Sequence, residues 1–245
     1  MNFIRNIFSS RSHKDETFYR ELKVIMGFAP NKLLFYKKAF VHRSIKNIDA
    51  KGNPQNYERL EFLGDAMLGA SIASYLFKKV PSGNEGYLTQ MRSKIVSREH
   101  LNELGRELNL IRFVTSSISK SKFGENINGN IFEALIGAIY LDRGYGYCKK
   151  FIYKRVIKPH IDIPKLEGKI TSYKSLFIEW CQKEKRDFLF DIYEDTGNDT
   201  VRHFSVKLFL EDKVIAKGRA TSKKKAEEIA AKRGYYAFQN EISKN

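Results

Sequence analysis

Three acidic side chains share one stripe of the segment 56–65, NYERLEFLGD. At 100° per residue, Glu58, Glu61 and Asp65 fall within roughly 60° of one another, while Leu60, Leu63 and Met67 gather on the opposite side. No lysine follows four residues on to neutralise them. Such a stripe can be a solvated polar face, and spacing alone leaves that reading open. A second segment is more demanding. Residues 131–141, IFEALIGAIYL, are apolar nearly all round, the pattern of a buried helix, and Glu133 is their only charge. A carboxylate placed there must be protonated, paired or bound to a metal, because an isolated ionised one is costly to bury. A salt bridge to an arginine or lysine is one solution. The other is a cation held jointly by Glu133 and the acids of the first segment. Several carboxylate oxygens suit Mg²⁺ or Mn²⁺, and the absence of Cys/His clusters disfavours zinc.

Composition favours the second solution. The 245 residues include 44 Lys+Arg and 28 Asp+Glu, a net charge of +16. A basic chain that gathers acids into one corner suits a phosphodiester substrate, with cations on the backbone and carboxylates holding a metal that activates water. The hydrophobic content of 42% and aromatic content of 13% exclude a disordered chain. The longest uncharged stretch, 66–77, is twelve residues, too short to span a bilayer, so no membrane partner is expected. Cys148 and Cys181 lie far apart with no metal-ligand spacing, so neither a disulfide nor a zinc site is expected and a cytoplasmic location fits. Residues 1–15 read as a basic tail without the apolar core of a secretory signal.

Two kinds of element must position these groups. Helical spacing at 56–77, 97–108 and 131–141 predicts an all-α domain over 16–161. Pro159, Pro164 and mixed charge without periodicity predict a linker at 162–170. Beyond it, Thr171 and Ser172 can cap a helix over 174–185. Alternation then predicts strands through Phe188, Phe190 and Ile192, through Phe204 to Leu210, and over 214–218. Thr221 and Ser222 precede a last helix. The order α-β-β-β-α predicts a small α+β domain over 171–240, an antiparallel sheet with helices on one face. Lys223 and Lys224 open its last helix, where their charge adds to the helix dipole and free N–H groups in attracting phosphate. A solvated lysine face is the alternative.

These segments resemble the ribonuclease III family. Residues 56–65 match its signature N-x-E-R-L-E-F-L-G-D, and AFVHRS (39–44), NEGYLTQMRSKIVS (84–97) and FEALIGAIYLDRG (132–144) stand in the family's order. SKKKAEEIAA (222–231) resembles the double-stranded-RNA-binding domain. The resemblance covers about residues 16–240. It implies a homodimeric, Mg²⁺-dependent endonuclease, with Mn²⁺ able to substitute and no organic cofactor. Such an enzyme cuts double-stranded RNA to 5′-phosphate and 3′-hydroxyl ends, in processing of ribosomal and messenger RNA precursors.

Carried over residue by residue, Glu61 and Glu133 ligate metal, and Asp65, with Glu133, positions the nucleophilic water and completes the cluster. Glu58 and Glu85 match acids associated with substrate handling. Phe62 projects beside the acidic stripe and corresponds to a residue that packs into the partner subunit. Asn130 stands where the family usually has aspartate. Its amide oxygen can still ligate, but Glu61, Asp65 and Glu133 then carry three negative charges where the family pattern has four, which implies weaker metal binding. The alternative is a catalytically impaired double-stranded-RNA-binding protein of the same ancestry. A-form RNA hides its base edges, so phosphates and 2′-hydroxyls must be read. The resemblance assigns phosphate contacts to Lys223 and Lys224 and a 2′-hydroxyl contact to Glu179. Ile178 and Thr200 depart from its pattern, which implies weaker minor-groove contacts or their redistribution onto Arg202 and His203.

Overall fold

The structure is a computed structural model, and it describes residues 12–167, 172–195 and 203–242. Two compact units divide between Glu167 and Gly168. In the first, helices α1 (His13–Met26), α2 (Leu33–Ala39), α3 (Glu58–Lys79), α4 (Glu85–Ile95), α5 (Arg98–Glu107), α6 (Ile127–Arg143), α7 (Tyr145–Ile152), α8 (Lys158–His160) and α9 (Ile163–Glu167) follow in order. A π-helical stretch, Tyr153–Ile157, joins α7 to α8. Ser12 caps α1, so the predicted tail gives way to helix before residue 15.

Helix α6 is the axis of this unit and packs against α2, α3, α5 and α7. Its side chains from Ile131 to Ile139 are buried apart from Glu133, which is half-buried on the one open side. The crossing of α6 with α3 is made close by two glycines. A Cβ on Gly64 would stand 1.8 Å from the carbonyl oxygen of Glu133, and one on Gly137 would stand 2.2 Å from that of Leu60. The fully buried stripe of α3 therefore runs Leu60, Gly64, Leu68, Ile72 and Leu76, with Met67 partly buried against the same core. By length and composition α3 alone, among the described residues, could cross a membrane, but here it lays this stripe into the domain core.

The N-terminus of α6 has no capping side chain of its own. Buried Asn102 serves instead, accepting from Gly129 N–H at 2.9 Å and donating to Asn126 Oδ1 at 3.1 Å. Asp142, at the other end, accepts from Asn31 N–H, Lys32 N–H and Tyr36 Oη–H and so caps α2. The linker expected at 162–170 is corrected in its first half. Lys94, nearly fully buried, donates to the carbonyls of Leu166 (2.8 Å) and Glu167 (3.2 Å), which ties α9 to α4.

The second unit is α10 (Tyr173–Lys183), strands β1 (Phe188–Asp195), β2 (His203–Leu210) and β3 (Lys213–Ala220), then α11 (Lys223–Ala237) and α12 (Gln239–Ile242). The sheet is antiparallel in the order β1-β2-β3, with Ile192 opposite Val206 and Val206 opposite Gly218. Phe177, Trp180, Val206, Leu208, Ala226 and Ala230 fill the space between sheet and helices. Ser172 and Ser222 cap the two long helices.

Candidate active site

Glu58, Glu61 and Asp65 on α3 face Asn130 and Glu133 on α6 across a cleft of about 620 Å³, with Phe62 and Arg98 at its rim. The close α3–α6 crossing brings the two acidic sets together. Glu133 carries the strongest perturbation. Desolvation, then the charges of Asp65 and Glu61, push its carboxyl up to about 8, while Arg98 works the other way. Glu61 is also raised, first by burial and then by Glu58, against the opposing pull of Arg43. Glu58 is held by its neighbours. Its backbone N–H donates to Asn56 Oδ1 at 3.0 Å, Asn56 Nδ2 donates to its carboxylate at 3.3 Å, and Arg43 stands 3.7 Å away. The Asn130 amide acts on the Tyr57 hydroxyl, lowering a pKa that burial raises.

Among the described residues, no three Asp, Glu, His or Cys side chains stand close enough to form a ready-made metal cage. The acids line an open wall and repel one another there. Their chemistry nonetheless fits a hard divalent cation: every donor is oxygen, and burial and neighbouring acids hold Glu133 and Glu61 towards neutrality, which Arg98 and Arg43 only partly offset.

Glu85 is not brought to this cleft. It opens α4, accepts from Thr89 Oγ1 at 3.2 Å, and lines a separate groove of about 570 Å³ with Phe77, Lys78, Leu88 and Arg92. Phe77 lies twelve residues beyond Asp65 on α3, so within one chain the two are roughly 18 Å apart along the helix axis. Phe62 is 81% exposed and Phe77 72%. Arg98 was not among the residues singled out by sequence. Its only local signal is its place just after the Ser97 cap, at the start of α5.

In the second unit Lys223 and Lys224 are exposed at the N-terminus of α11, Lys223 lying 5.7 Å from the Phe204 ring centroid. Glu179 is exposed on α10, and His203 is half-buried at the start of β2. Thr200 and Arg202 fall outside the described residues.

A helical unit with an acidic cleft, followed by an α-β-β-β-α unit with cations at a helix N-terminus, defines a nuclease that carries its own RNA reader. Residues 32–160 match the Ribonuclease-III-like family model, and residues 173–235 match the double-stranded RNA binding motif. The chain is 64% identical over 243 residues to the Ribonuclease 3 of Zunongwangia profunda, covering 99% of this chain and 100% of that one. It is 41% identical to the Ribonuclease 3 of Bacteroides fragilis over 93% of this chain and 78% of the relative. The solved nuclease domain of ribonuclease III from Campylobacter jejuni is similar at a TM-score of 0.50 and 29% identity, covering 58% of this chain and 97% of that domain. Another structure of that domain concerns flexibility in its region involved in dimer formation. The chain belongs to the ribonuclease III family.

Proposed function

We propose that this double-strand-specific endoribonuclease cuts by divalent-metal-assisted hydrolysis in the cleft between α3 and α6. The observation that carries the reading is Glu133: a carboxyl pushed up to about 8, facing two further acids. An ion pair with an arginine or lysine would hold the carboxyl below its ordinary value, not above it. Glu61, Glu133 and Asp65, with the amide oxygen of Asn130, hold the ion, Mg²⁺ by preference and Mn²⁺ as a substitute. When bound, it supplies charge stabilisation at the scissile phosphate and a more acidic water. Asp65, exposed at the mouth, and Glu133 beside it would accept hydrogen bonds from the attacking water and hold it near the phosphate. Bond rupture on the 3′-oxygen side leaves 5′-phosphate and 3′-hydroxyl ends. Arg98 at the rim screens the acids from the incoming phosphate.

The second unit delivers the duplex, Lys223 and Lys224 meeting phosphates and Glu179 a 2′-hydroxyl. Two copies pair through α3. The exposed ring of Phe62 suits the groove at Phe77 and Leu88 of a second copy, and antiparallel pairing brings the Glu85 of one copy towards the acidic cleft of the other. Ribosomal and messenger RNA precursors are the substrates this assembly serves.

The test is incubation of purified protein with labelled RNA duplex in Mg²⁺, Ca²⁺ or chelator, with Glu133→Gln as control. Cutting that requires Mg²⁺ and is lost in the variant supports the reading. Asn130 is the one feature that favours a binding-only protein, and duplex binding without cutting in any metal would establish that instead.

A further inference from the structure

The segment His42–Arg43–Ser44 is polar, lies outside the acidic cluster and has no part in the chemistry above. Its contacts run in two directions. Towards the cleft, Val41 accepts from Tyr57 N–H at 3.0 Å at the entrance to α3, and Arg43 stands 3.7 Å from Glu58. Towards the loop 115–123, Ser44 makes three hydrogen bonds. Its Oγ shares one with Ser116 Oγ at 3.2 Å and accepts from Ser117 N–H at 3.1 Å, and its carbonyl accepts from Ser117 Oγ at 2.9 Å. His42 N–H donates to the Thr115 carbonyl at 2.9 Å, Thr115 N–H donates to that of Phe40, and the His42 ring stacks on Phe123 with centroids 4.6 Å apart. His42 is only 5% exposed.

The loop held this way presents a chemistry of its own. Residues 117–122 read SISKSK, all of them exposed, with two cations, three hydroxyls and no acid. Ser119 caps the short 3₁₀ turn that carries Lys120 and Lys122. Lys120 also lines a hollow with Arg106, and the chain leaving the loop enters the cleft at Asn126. Cations and hydroxyls on one rigid turn match a phosphate–ribose backbone.

We propose that His42, Arg43 and Ser44 form a strut that fixes the spacing between the acidic cleft and the cationic turn at Lys120–Lys122, and so sets where along a bound duplex the cut falls. The inference rests on the proposed function. A duplex gripped at the turn presents to the acids the phosphodiester that lies at a fixed distance from the grip. A loosened strut lets neighbouring phosphodiesters compete. These three are positioning residues, since none of them touches the reacting atoms.

Ser44→Ala removes two of the loop's anchors without touching an acid, and Ser44→Thr restores the hydroxyl. The experiment maps the 5′ ends of products from one defined RNA duplex in Mg²⁺, with KM and kcat, for the full-length wild type, both Ser44 variants, Lys120→Ala/Lys122→Ala, and the triple variant. Expected for Ser44→Ala are a spread of cleavage positions over neighbouring phosphodiesters and a KM raised about threefold to tenfold, roughly the worth of one net hydrogen bond, since the Ser117 Oγ bond to the Ser44 carbonyl remains. The kcat for the main cut changes less than KM, and Ser44→Thr recovers a single position. In the background lacking Lys120 and Lys122, Ser44→Ala adds nothing further, because the strut then has no grip to position. A wild type that does not cut duplex removes the underlying reading. A wild type that cuts, with Ser44→Ala cutting at one unchanged position or losing kcat alone, overturns the strut. So does an unreduced Ser44→Ala effect in the lysine-free background. Thermal unfolding of each variant separates a misfolded chain from a loosened one, and Ser117→Ala, which removes the third bond of the strut, from Ser117 Oγ to the Ser44 carbonyl, must also spread the cleavage positions.

Discussion

Glu133 binds its proton more tightly in the folded chain than in the unfolded one, since its carboxyl moves from an ordinary 4.5 up to about 8. Between those two values the unfolded chain releases the proton and the native chain keeps it. Without metal, stability therefore falls as pH rises through that window and is unaffected by this group below it. Glu133→Gln mimics the protonated form and escapes the loss. After a discount for the open cleft, the variant is expected to be more stable than wild type by about 2 kcal/mol at pH 8, and by almost nothing at pH 5. Denaturant unfolding in chelator at both pH values checks this; an equal difference at the two would show that Glu133 is not held neutral. Added Mg²⁺ should reverse the order by stabilising the wild type more than the variant, whose amide oxygen is the weaker ligand. Asn130 is the complementary case. Asn130→Asp restores the fourth negative charge of the family pattern and is expected to lower the Mg²⁺ midpoint for cleavage several-fold, read by titrating activity against metal. Identical midpoints would show that the amide oxygen ligates as well as a carboxylate.

The α3–α6 crossing decides whether those side chains meet at all. Gly64 has its α-carbon against the backbone of Glu133, and a backbone carbonyl 1.8 Å from a new Cβ cannot give way. Gly64→Ala is therefore expected to push the helices apart, costing about 3 kcal/mol, or roughly 6–12 °C in Tm, and raising the Mg²⁺ midpoint. Gly69, one turn on, has nothing within 4 Å of its Cβ position, so Gly69→Ala should be neutral or stabilise by up to about 1 kcal/mol. Differential scanning calorimetry on the pair reads both; equal losses would show that helix propensity, not the crossing, matters. Neither role was legible in the sequence, which shows a glycine's presence but not what lies opposite it. What was legible is local. A helix apolar on every side with one acid announces itself through its own periodicity, and so do the Ser172 and Ser222 caps and the alternation of β2. Asn102 capping α6, Arg98 at the rim and Lys94 holding α9 all depend on partners at least two dozen residues away, and the only local mark of Arg98 is the Ser97 cap before it. An ideal wheel gives the polar arc and the apolar side opposite it, where Leu60 is buried and Met67 packs on the core, but a glycine crossing chooses which stripe is fully buried.

At the scale of the molecule, charge and apolar exposure divide the work. Basic residues outnumber acidic ones 29 to 16 before residue 171 and only 15 to 12 after it, so most of the excess that attracts a polyanion lies in the cutting unit. That unit also exposes Phe62 at the lip of its own acidic cleft. An aromatic ring left 81% in water is a liability unless something covers it, and a second copy offers a groove of matching character beside Phe77 and Leu88. If Phe62 is the anchor of that pairing, its removal forfeits about 2–4 kcal/mol, which weakens self-association by about 30-fold to 1,000-fold. Phe62→Ala is the right variant, because a new carboxylate at the cleft mouth would disturb metal binding and confuse the two effects. Light scattering over a dilution series should show the variant passing to monomer at concentrations where the wild type stays paired. Its metal-free unfolding should keep the pH 5 to pH 8 difference that Glu133 imposes, since that carboxyl is perturbed within one chain. Where the proposed pairing brings Glu85 to a neighbour's cleft, cleavage by the variant should rise with the square of its concentration. A variant that dissociates no more readily than wild type would remove Phe62 from the interface and leave Glu85 without a route to the phosphate.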